Sequence, residues 1–257
     1  MNLIKTFMAL LMLALVVPTQ AQTVDEILAN YWENSGGLEK FKNLEGIKMK
    51  AKVTQQGMEI PLEIVQLKDG RQMTIVSFQG QEIKQGVYDG EVLWSTNFIT
   101  MKAEKSDAEA TENFKLNTND FPDSFIDYKE KGYTAEFLGT EPYDGTETYK
   151  IKLVKEPMTV DGNKEEDISF YFFETENFVP IAVQSEVKFG QMKGMTQEVT
   201  MSDYQEVDGL YFPFSMTQGV KDGQSQPLII ESIELNPVVN DEIFAFPEEI
   251  PTEESKE

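Results

Sequence analysis

Two stretches of alternating apolar and polar residues, joined by an Asp-Gly pair, constrain this chain more than any other feature. Residues 199–207 and 210–216 follow a period of two, which predicts two β-strands. Asp208-Gly209 between them can adopt the positive φ angles of a tight hairpin turn. Asp-Gly recurs at residues 69, 89, 144, 161 and 222. The sequence therefore predicts an antiparallel sheet of about 10–11 strands, in which neighbours in sequence are neighbours in space.

Helical signals flank and interrupt this pattern. Thr23-Val24-Asp25-Glu26 fits a capping box, and four apolar residues at helical spacing follow it before Gly36-Gly37. Residues 102–115 predict a helix or a loop, and residues 123–131 a second short helix. We also predict a short helix over residues 241–246. The predicted fold is mainly β: an antiparallel, strongly curved, unclosed β-barrel over residues 22–247, with short helices capping its concave apolar face.

The two ends of the sequence differ from the rest of it. Residues 1–21 combine Lys5, an apolar run and a small-residue approach to Ala21, which predicts a cleaved secretory signal peptide. Residues 248–257 are acidic and predict a disordered tail. The chain has no Cys, so an exported form carries no disulfides. We predict a periplasmic monomer that is not an integral membrane protein.

The composition excludes several kinds of chemistry. A formal net charge of −23 argues against nucleic acid and against anionic membrane surfaces as partners. The absence of His and Cys removes the commonest general base and the most nucleophilic side chain. Asp120, Asp123 and Asp127 could in principle supply a carboxylate pair for glycoside hydrolysis. The oxygen-rich loop 161–167 lacks the spacing of an EF-hand. We predict no enzymatic activity, no metal and no cofactor.

The apolar face of the predicted sheet is the candidate site. Nine methionines lie outside the predicted signal peptide, and their flexible side chains suit either gap-filling in a core or the lining of an adaptable apolar cavity. Alternation suggests these cavity residues: Met49, Val53, Met73, Trp94, Tyr149, Leu153, Phe170, Phe172, Val183, Phe212 and Phe214. The insertion at residues 121–132 is predicted to cross this face as a lid, through Phe121, Phe125, Ile126 and Tyr128.

Several short motifs, in this order along the chain, resemble one known family. They are Gly36-Gly37-Leu38-Glu39-Lys40, residues 120–133, Asp144-Gly145 with Tyr149-Lys150-Ile151, residues 202–204, residues 207–214, Asn236-Pro237, and Phe244 with Pro247. Together they resemble the LolA-like outer-membrane lipoprotein-sorting proteins over nearly all of the chain after the predicted signal. The resemblance implies a chaperone-like carrier that shields acyl chains from water without chemistry. The best-known sorting chaperone of that family uses an arginine near the cavity to control the lid, and Arg71 is the only arginine in this sequence.

Two functional hypotheses follow. The first is a periplasmic carrier or binding protein that holds an acyl lipid, or the lipid moiety of a lipoprotein, and exchanges it with envelope transport proteins. The alternative is an interaction module for envelope proteins, with a filled core and no ligand, that binds a partner through an edge strand.

Overall fold

The computed structural model describes residues 22–55 and 57–247. The predicted signal peptide and the predicted acidic tail lie outside these residues. Within them, no helix is long and apolar enough to cross a bilayer.

Strands account for most of the described structure. In chain order, β1 to β15 are Gly46–Gln55, Met58–Leu67, Gln72–Phe78, Gln81–Tyr88, Leu93–Thr96, Ala103–Lys105, Thr134–Tyr143, Thr146–Val154, Met158–Val160, Asn163–Glu165, Ile168–Glu174, Pro180–Glu186, Thr196–Val207, Leu210–Val220 and Ser225–Leu235.

Thirteen of these strands form one antiparallel sheet, in the order β6-β5-β4-β3-β2-β1-β15-β14-β13-β12-β11-β8-β7. The sheet is curved and does not close, which confirms the predicted fold class, although it has more strands than the 10–11 predicted. Strands β9 and β10 form a separate hairpin. Most neighbours in the sheet are neighbours in sequence. The pairing of β1 with β15 is the long-range seam that joins the first half of the chain to the second.

The Asp-Gly turns account for much of this order. At residues 144–145, 161–162 and 208–209 both residues have positive φ, as the predicted tight hairpin turns require. These turns connect β7 to β8, β9 to β10 and β13 to β14. The local hairpin signals are therefore confirmed.

Within residues 22–55 and 57–247, three α-helices accompany the sheet: α1 (Val24–Asn34), α2 (Leu38–Lys42) and α3 (Ala108–Thr118). Both hydrogen bonds of the predicted capping box at Thr23 and Glu26 are present at the start of α1. Gly36 has a φ of 105°, and a Cβ there would lie 2.1 Å from the Gly209 carbonyl oxygen, so only glycine fits between α1 and the β13–β14 turn. Short 3₁₀ helices occur at Gly190–Met192 and Asp241–Phe244.

The predicted helix over residues 123–131 is wrong. Residues 121–132, which we call the lid segment, form consecutive turns that bury Phe125, Ile126 and Tyr128. Asp127 has a positive φ, which interrupts any helix. Burial of the aromatic side chains overrides local helix propensity in this segment.

Helix α3 and the β9–β10 hairpin meet across the gap that separates the two edges of the unclosed sheet. Helix α3 packs beside β4 through the Phe114 and Tyr88 rings, whereas the hairpin follows β8 near the other end of the sheet. Asn113, which is buried, donates to the Thr159 carbonyl oxygen at 2.6 Å and accepts from the Thr159 N–H at 2.8 Å. The Glu109 carboxylate accepts from the Asp161 and Gly162 N–H groups. The helix and the hairpin thus form a bridge between the two ends of the sheet.

We expect Asn113→Ala to lower the free energy of unfolding by about 1–2 kcal/mol, because the substitution leaves both Thr159 backbone groups without their partner. Chemical denaturation measures the loss. Asn117→Ala is the matched control, since Asn117 is exposed on the same helix and gains the same helix propensity. Equal stabilities of the two variants would show that the bridge contributes nothing.

Candidate functional site

Strand register assigns each side chain to one face of the sheet. Directly opposed residues share a face, so the pairs Met49–Ile64, Ala51–Leu62 and Val53–Ile60 follow one face along β1 and β2. The same reasoning applied across the sheet defines a concave face that is mostly apolar. On the convex face of β1, Lys48 and Lys52 pair with Glu63 and Glu59, at 3.1 and 2.9 Å. This confirms the predicted alternation in β1.

Helices and the lid segment cover one part of the concave face. The covered part lies at the end of the sheet where β1 begins, which we call the helix end. Tyr31 of α1 packs edge-on against Phe173, with ring centroids 5.5 Å apart, and Phe41 of α2 packs against Phe212 at 5.6 Å. From the lid segment, Phe125 lies 4.7 Å from the Tyr171 ring. These contacts form a densely packed aromatic core.

A second apolar cluster lies on the convex face of β2–β5. Met73 and Trp94 are buried there against Phe244, and the Trp94 indole N–H donates to the Phe244 carbonyl oxygen at 2.9 Å. Arg71 pairs with Asp69 and Asp241, both at 2.7 Å, and its guanidinium lies 5.4 Å from the Phe244 ring centroid. In this structure Arg71 therefore anchors the C-terminal 3₁₀ helix, and its contacts are not with the lid segment.

The rest of the concave face carries apolar side chains that neither cluster includes. We call this surface the apolar trough; its residues are Val53, Ile60, Leu62, Val76, Val183, Val199, Met201, Phe214, Met216 and Leu228. All except the buried Ile60 are half-buried, whereas Ala51, Ile83 and Ile230, which share this face by register, are buried. The half-buried side chains belong to neither of the two apolar clusters.

The trough leads to the end of the sheet opposite the helices, which we call the open end. A cavity of about 1180 Å³ lies there, bordered by the end of β1, the start of β13 and the β14–β15 turn. Its border is polar, with Gln197, Gln218 and Gln226, and includes Val187, Met192 and Met195. Pockets that bind small ligands have volumes of about 300–1,000 Å³, so this opening is large enough for an elongated molecule.

The predicted cavity residues divide among the trough, the covered core and the convex face, where Phe170 and Phe172 lie on β11 opposite Lys152 and Lys150. Val53, Val183 and Phe214 lie in the trough, whereas Met49, Tyr149, Leu153 and Phe212 pack in the covered core. Met73 and Trp94 belong to the convex cluster, so their predicted inward position is wrong. The predicted inward position of Phe170 and Phe172 is wrong as well, because Tyr171 and Phe173 are the members of this run that reach the covered core. Strand β11 has aromatic residues on both faces, so alternation alone could not fix its orientation.

The prediction missed seven trough residues: Ile60, Leu62, Val76, Val199, Met201, Met216 and Leu228. Strand β2 has apolar residues on both faces, since Ile60 and Leu62 face the trough and Val65 and Leu67 face the convex cluster. In β13 and β14 the sequence did contain a pattern from which the trough residues could have been predicted. Val199, Met201, Phe214 and Met216 alternate regularly. The pairing of Met201 with Met216 places both on the face that carries Phe214.

The lid segment is fixed to α1 and α2 by polar contacts. Asp123 accepts from the Tyr31 hydroxyl and from the Phe125 N–H, both at 2.8 Å. Asp25 accepts from the Tyr128 hydroxyl at 3.0 Å and pairs with Lys129 at 2.7 Å. The predicted lid residues Phe121, Phe125, Ile126 and Tyr128 all pack on the covered core. The role of the segment as a lid stays a prediction.

Burial controls the protonation of this region. It raises the pKa of the Asp123 carboxyl, against hydrogen bonds from Phe125 and Tyr31 that lower it. Burial also raises the pKa of Tyr171 to about 12 and that of Tyr31 well above its usual range. Near the surface, the hydrogen bond from Lys129 lowers the pKa of Asp25. A carboxyl group that resists ionisation therefore lies within the lid segment, at its contact with α1.

The carboxylates considered for catalysis have separate structural partners. Asp120 pairs with Lys155 at 2.9 Å, Asp123 binds Tyr31, and Asp127 pairs with Lys42 at 2.5 Å. Among residues 22–55 and 57–247, no group of three or more acidic side chains could hold a metal ion. In the loop 161–167, Asp161 instead pairs with Lys193 at 2.8 Å. These contacts explain the acidic residues without assigning them a reaction.

A curved, unclosed sheet with helices over half of its concave apolar face defines a half-barrel protein with an apolar interior. A DUF1329 family protein from Desulfovibrio piger has a similar structure, with a TM-score of 0.52 and 12% identity over 85% of this chain and 97% of that chain. A LolA superfamily protein from Nitrosomonas europaea is similar with a TM-score of 0.52 and 14% identity, over 88% of this chain and 98% of that chain. The chain thus has a LolA-like fold. No family model and no curated protein matches its sequence.

Proposed function

We propose that this protein is a non-catalytic periplasmic carrier that binds an acyl chain in the apolar trough. The observation that carries the proposal is the trough itself: an apolar stretch of the concave face that belongs to neither aromatic cluster and that is followed, along β14 and β15, by the Gln218–Gln226 pair at the border of the opening of about 1180 Å³. Soluble proteins rarely leave such a surface without a role. The LolA-like fold supports the proposal at the level of architecture.

The hydrophobic effect supplies the affinity in this proposal. Each buried methylene contributes about 0.8 kcal/mol, so a dozen methylenes supply about 10 kcal/mol before the losses of chain entropy on binding. Binding of this strength is reversible, as a carrier requires. The cargo is a lipid or the acylated end of a lipoprotein. The lid segment, with Phe121, Phe125, Ile126 and Tyr128, closes the helix end of the site, and the protein acts as a monomer that exchanges cargo with envelope partners.

The alternative, an interaction module with an edge strand as its binding surface, has weaker support. Strand β7 forms one edge of the sheet and is 10 residues long. However, a register shift at Phe137–Gly139 and Pro142 interrupt this edge. Bulges and prolines are features that protect an edge from pairing with another strand.

Native mass spectrometry of the protein purified from its own envelope fraction tests the carrier proposal. We expect mass increments that match a lipid or an acylated peptide, and lipid extraction should identify its class. A protein that is empty, and that also fails to bind a fluorescent fatty acid in solution, contradicts acyl binding. Co-purification of a protein partner without lipid supports the interaction module instead.

A further inference from the structure

The exposed large apolar residues are concentrated at the open end of the sheet. In the sheet, three strands lie between β5 and β1, and three more lie between β1 and β12. Because neighbouring strands are antiparallel, β1, β5 and β12 run in the same direction. The turns that follow these three strands therefore lie at the same end. Met58 is exposed after the first turn, and Phe98, Ile99 and Met101 are exposed in the second. Phe189, Met192 and Met195 are exposed in the third.

These three turns are evenly spaced along the edge. Four strand spacings separate the β5–β6 turn from the β1–β2 turn, and four more separate that turn from the β12–β13 turn. At about 4.8 Å per strand, neighbouring apolar turns are about 19 Å apart along the curved edge. Three separate projections of this kind contact a flat surface well. An extended peptide or a single helix requires a continuous groove instead.

The charge of this edge also differs from that of the chain. The chain has a net charge of −23, yet the turns 54–58, 79–80, 97–102, 187–195 and 221–224, together with the β8–β11 connection 155–167 at the same end, contain six lysines and six acidic residues. Lys188 and Lys193 pair with Glu186 and Asp161, at 2.8 Å each, so charges of opposite sign are interspersed at this edge. Repulsion from lipid headgroups is therefore smaller here than the net charge of the chain implies. Ile99, which is 93% exposed, extends an apolar side chain into solvent.

We propose that these three apolar turns dock the open end of the protein on a lipid surface. The inference rests on the proposed carrier function, because docking at this end places the trough against the membrane and lets an acyl chain move between them without crossing water. Apolar side chains that reach the boundary between headgroups and acyl chains provide such reversible attachment. The surface that these turns contact is a lipid surface of low charge. The alternative is that they bind a protein partner.

Flotation of the purified protein with phosphatidylcholine vesicles tests the proposal. We expect the unmodified protein to float with the vesicles and the triple variant F98S/I99S/M101S to float about tenfold less, since three apolar side chains leave the interface. The double variant L138S/V238S is the matched control, because both residues are exposed and lie away from the three turns. Its flotation should equal that of the unmodified protein.

A fluorescent fatty acid binding assay on the same samples separates the two proposals. The triple variant should bind the fatty acid as well as the unmodified protein does, because the trough is intact. Fatty acid binding without vesicle flotation of the unmodified protein, or equal flotation of the triple variant, overturns the docking proposal and leaves the carrier intact. Absence of both activities overturns the carrier proposal as well. A complex formed through these turns with a protein, in place of vesicles, also overturns membrane docking.

Discussion

Replacing Asp123 with alanine should lower the free energy of unfolding by about 3 kcal/mol. The carboxyl group accepts the hydrogen bonds of the Tyr31 hydroxyl and the Phe125 N–H, and alanine leaves both donors without a partner where the lid segment packs on α1. Chemical denaturation at neutral pH measures the effect. We expect Asp123→Asn to retain most of the stability, because an amide can still engage both groups.

Comparison of the unmodified protein with the D123N variant predicts how the free energy of unfolding depends on pH. Burial raises the pKa of Asp123 above its unfolded value of 3.8, so the folded state holds this proton more tightly than the unfolded chain does. The proton-linked part of the contribution of Asp123 to stability is therefore fully present below pH 3.8 and is lost as the pH rises through the raised pKa, whereas the two hydrogen bonds that its oxygens accept remain at neutral pH. The stability of D123N relative to the unmodified protein should increase over that interval. A constant difference contradicts the assignment.

Asp127→Asn is the control for these measurements. Asp127 belongs to the same segment but is largely exposed, and its ion pair with Lys42 lies near the surface. Exposed ion pairs contribute about 0–1 kcal/mol, and asparagine tolerates the positive φ of this position. We therefore expect a small change. A loss as large as that of D123A would show that the whole segment, rather than the buried carboxyl, sets the stability.

Replacing Met216 with glutamate should reduce acyl binding by at least about tenfold. Met216 lies in the trough opposite Met201 on β13 and Leu228 on β15, so a carboxylate there must lose hydration when an acyl chain covers it. Titration with a fluorescent fatty acid measures the affinity. Because Met216 is half-buried, the glutamate stays in contact with water in the empty protein, and the fold should be retained.

Ser215→Glu is the matched control for this substitution. Ser215 is the adjacent residue of β14 and faces the convex side, where it pairs with Ser202 and with the exposed Ile229. The S215E substitution introduces the same negative charge one residue away from Met216, on the face opposite the trough. Equal affinities of M216E and S215E for the fatty acid would contradict the trough as the binding surface.

The sequence predicted the fold well because its strongest signals are local. Capping of α1 by Thr23 and the Asp-Gly hairpin turns depend on residues within a few positions of one another, and the structure has them as predicted. The lid segment was predicted less well. Its path over the concave face was foreseen from its length and apolar content, whereas its turns depend on Tyr31 and Phe173, which are distant in sequence.

The site was harder to predict than the fold, because its position depends on which face each strand presents. Strand β11 could have directed either pair of its aromatic residues inward, and contact with α1 selects Tyr171 and Phe173. Met73 and Trp94 are buried by the C-terminal 3₁₀ helix, whose docking on the convex side has no local signal. Where one face was clearly polar, as in β1 with Lys48, Lys50 and Lys52, the orientation was predicted correctly.

The seam between β1 and β15 divides the trough as well as the sheet. Val53, Ile60, Leu62 and Val76 belong to the first half of the chain, and the other trough residues belong to the second. The strands of neither half of the chain contain the complete trough on their own. A ligand that lies across the seam binds only when both halves are joined, so by linkage its binding energy adds to the stability of this one long-range pairing. If the protein carries cargo as proposed, binding the cargo and forming the seam between the two halves are thermodynamically coupled events.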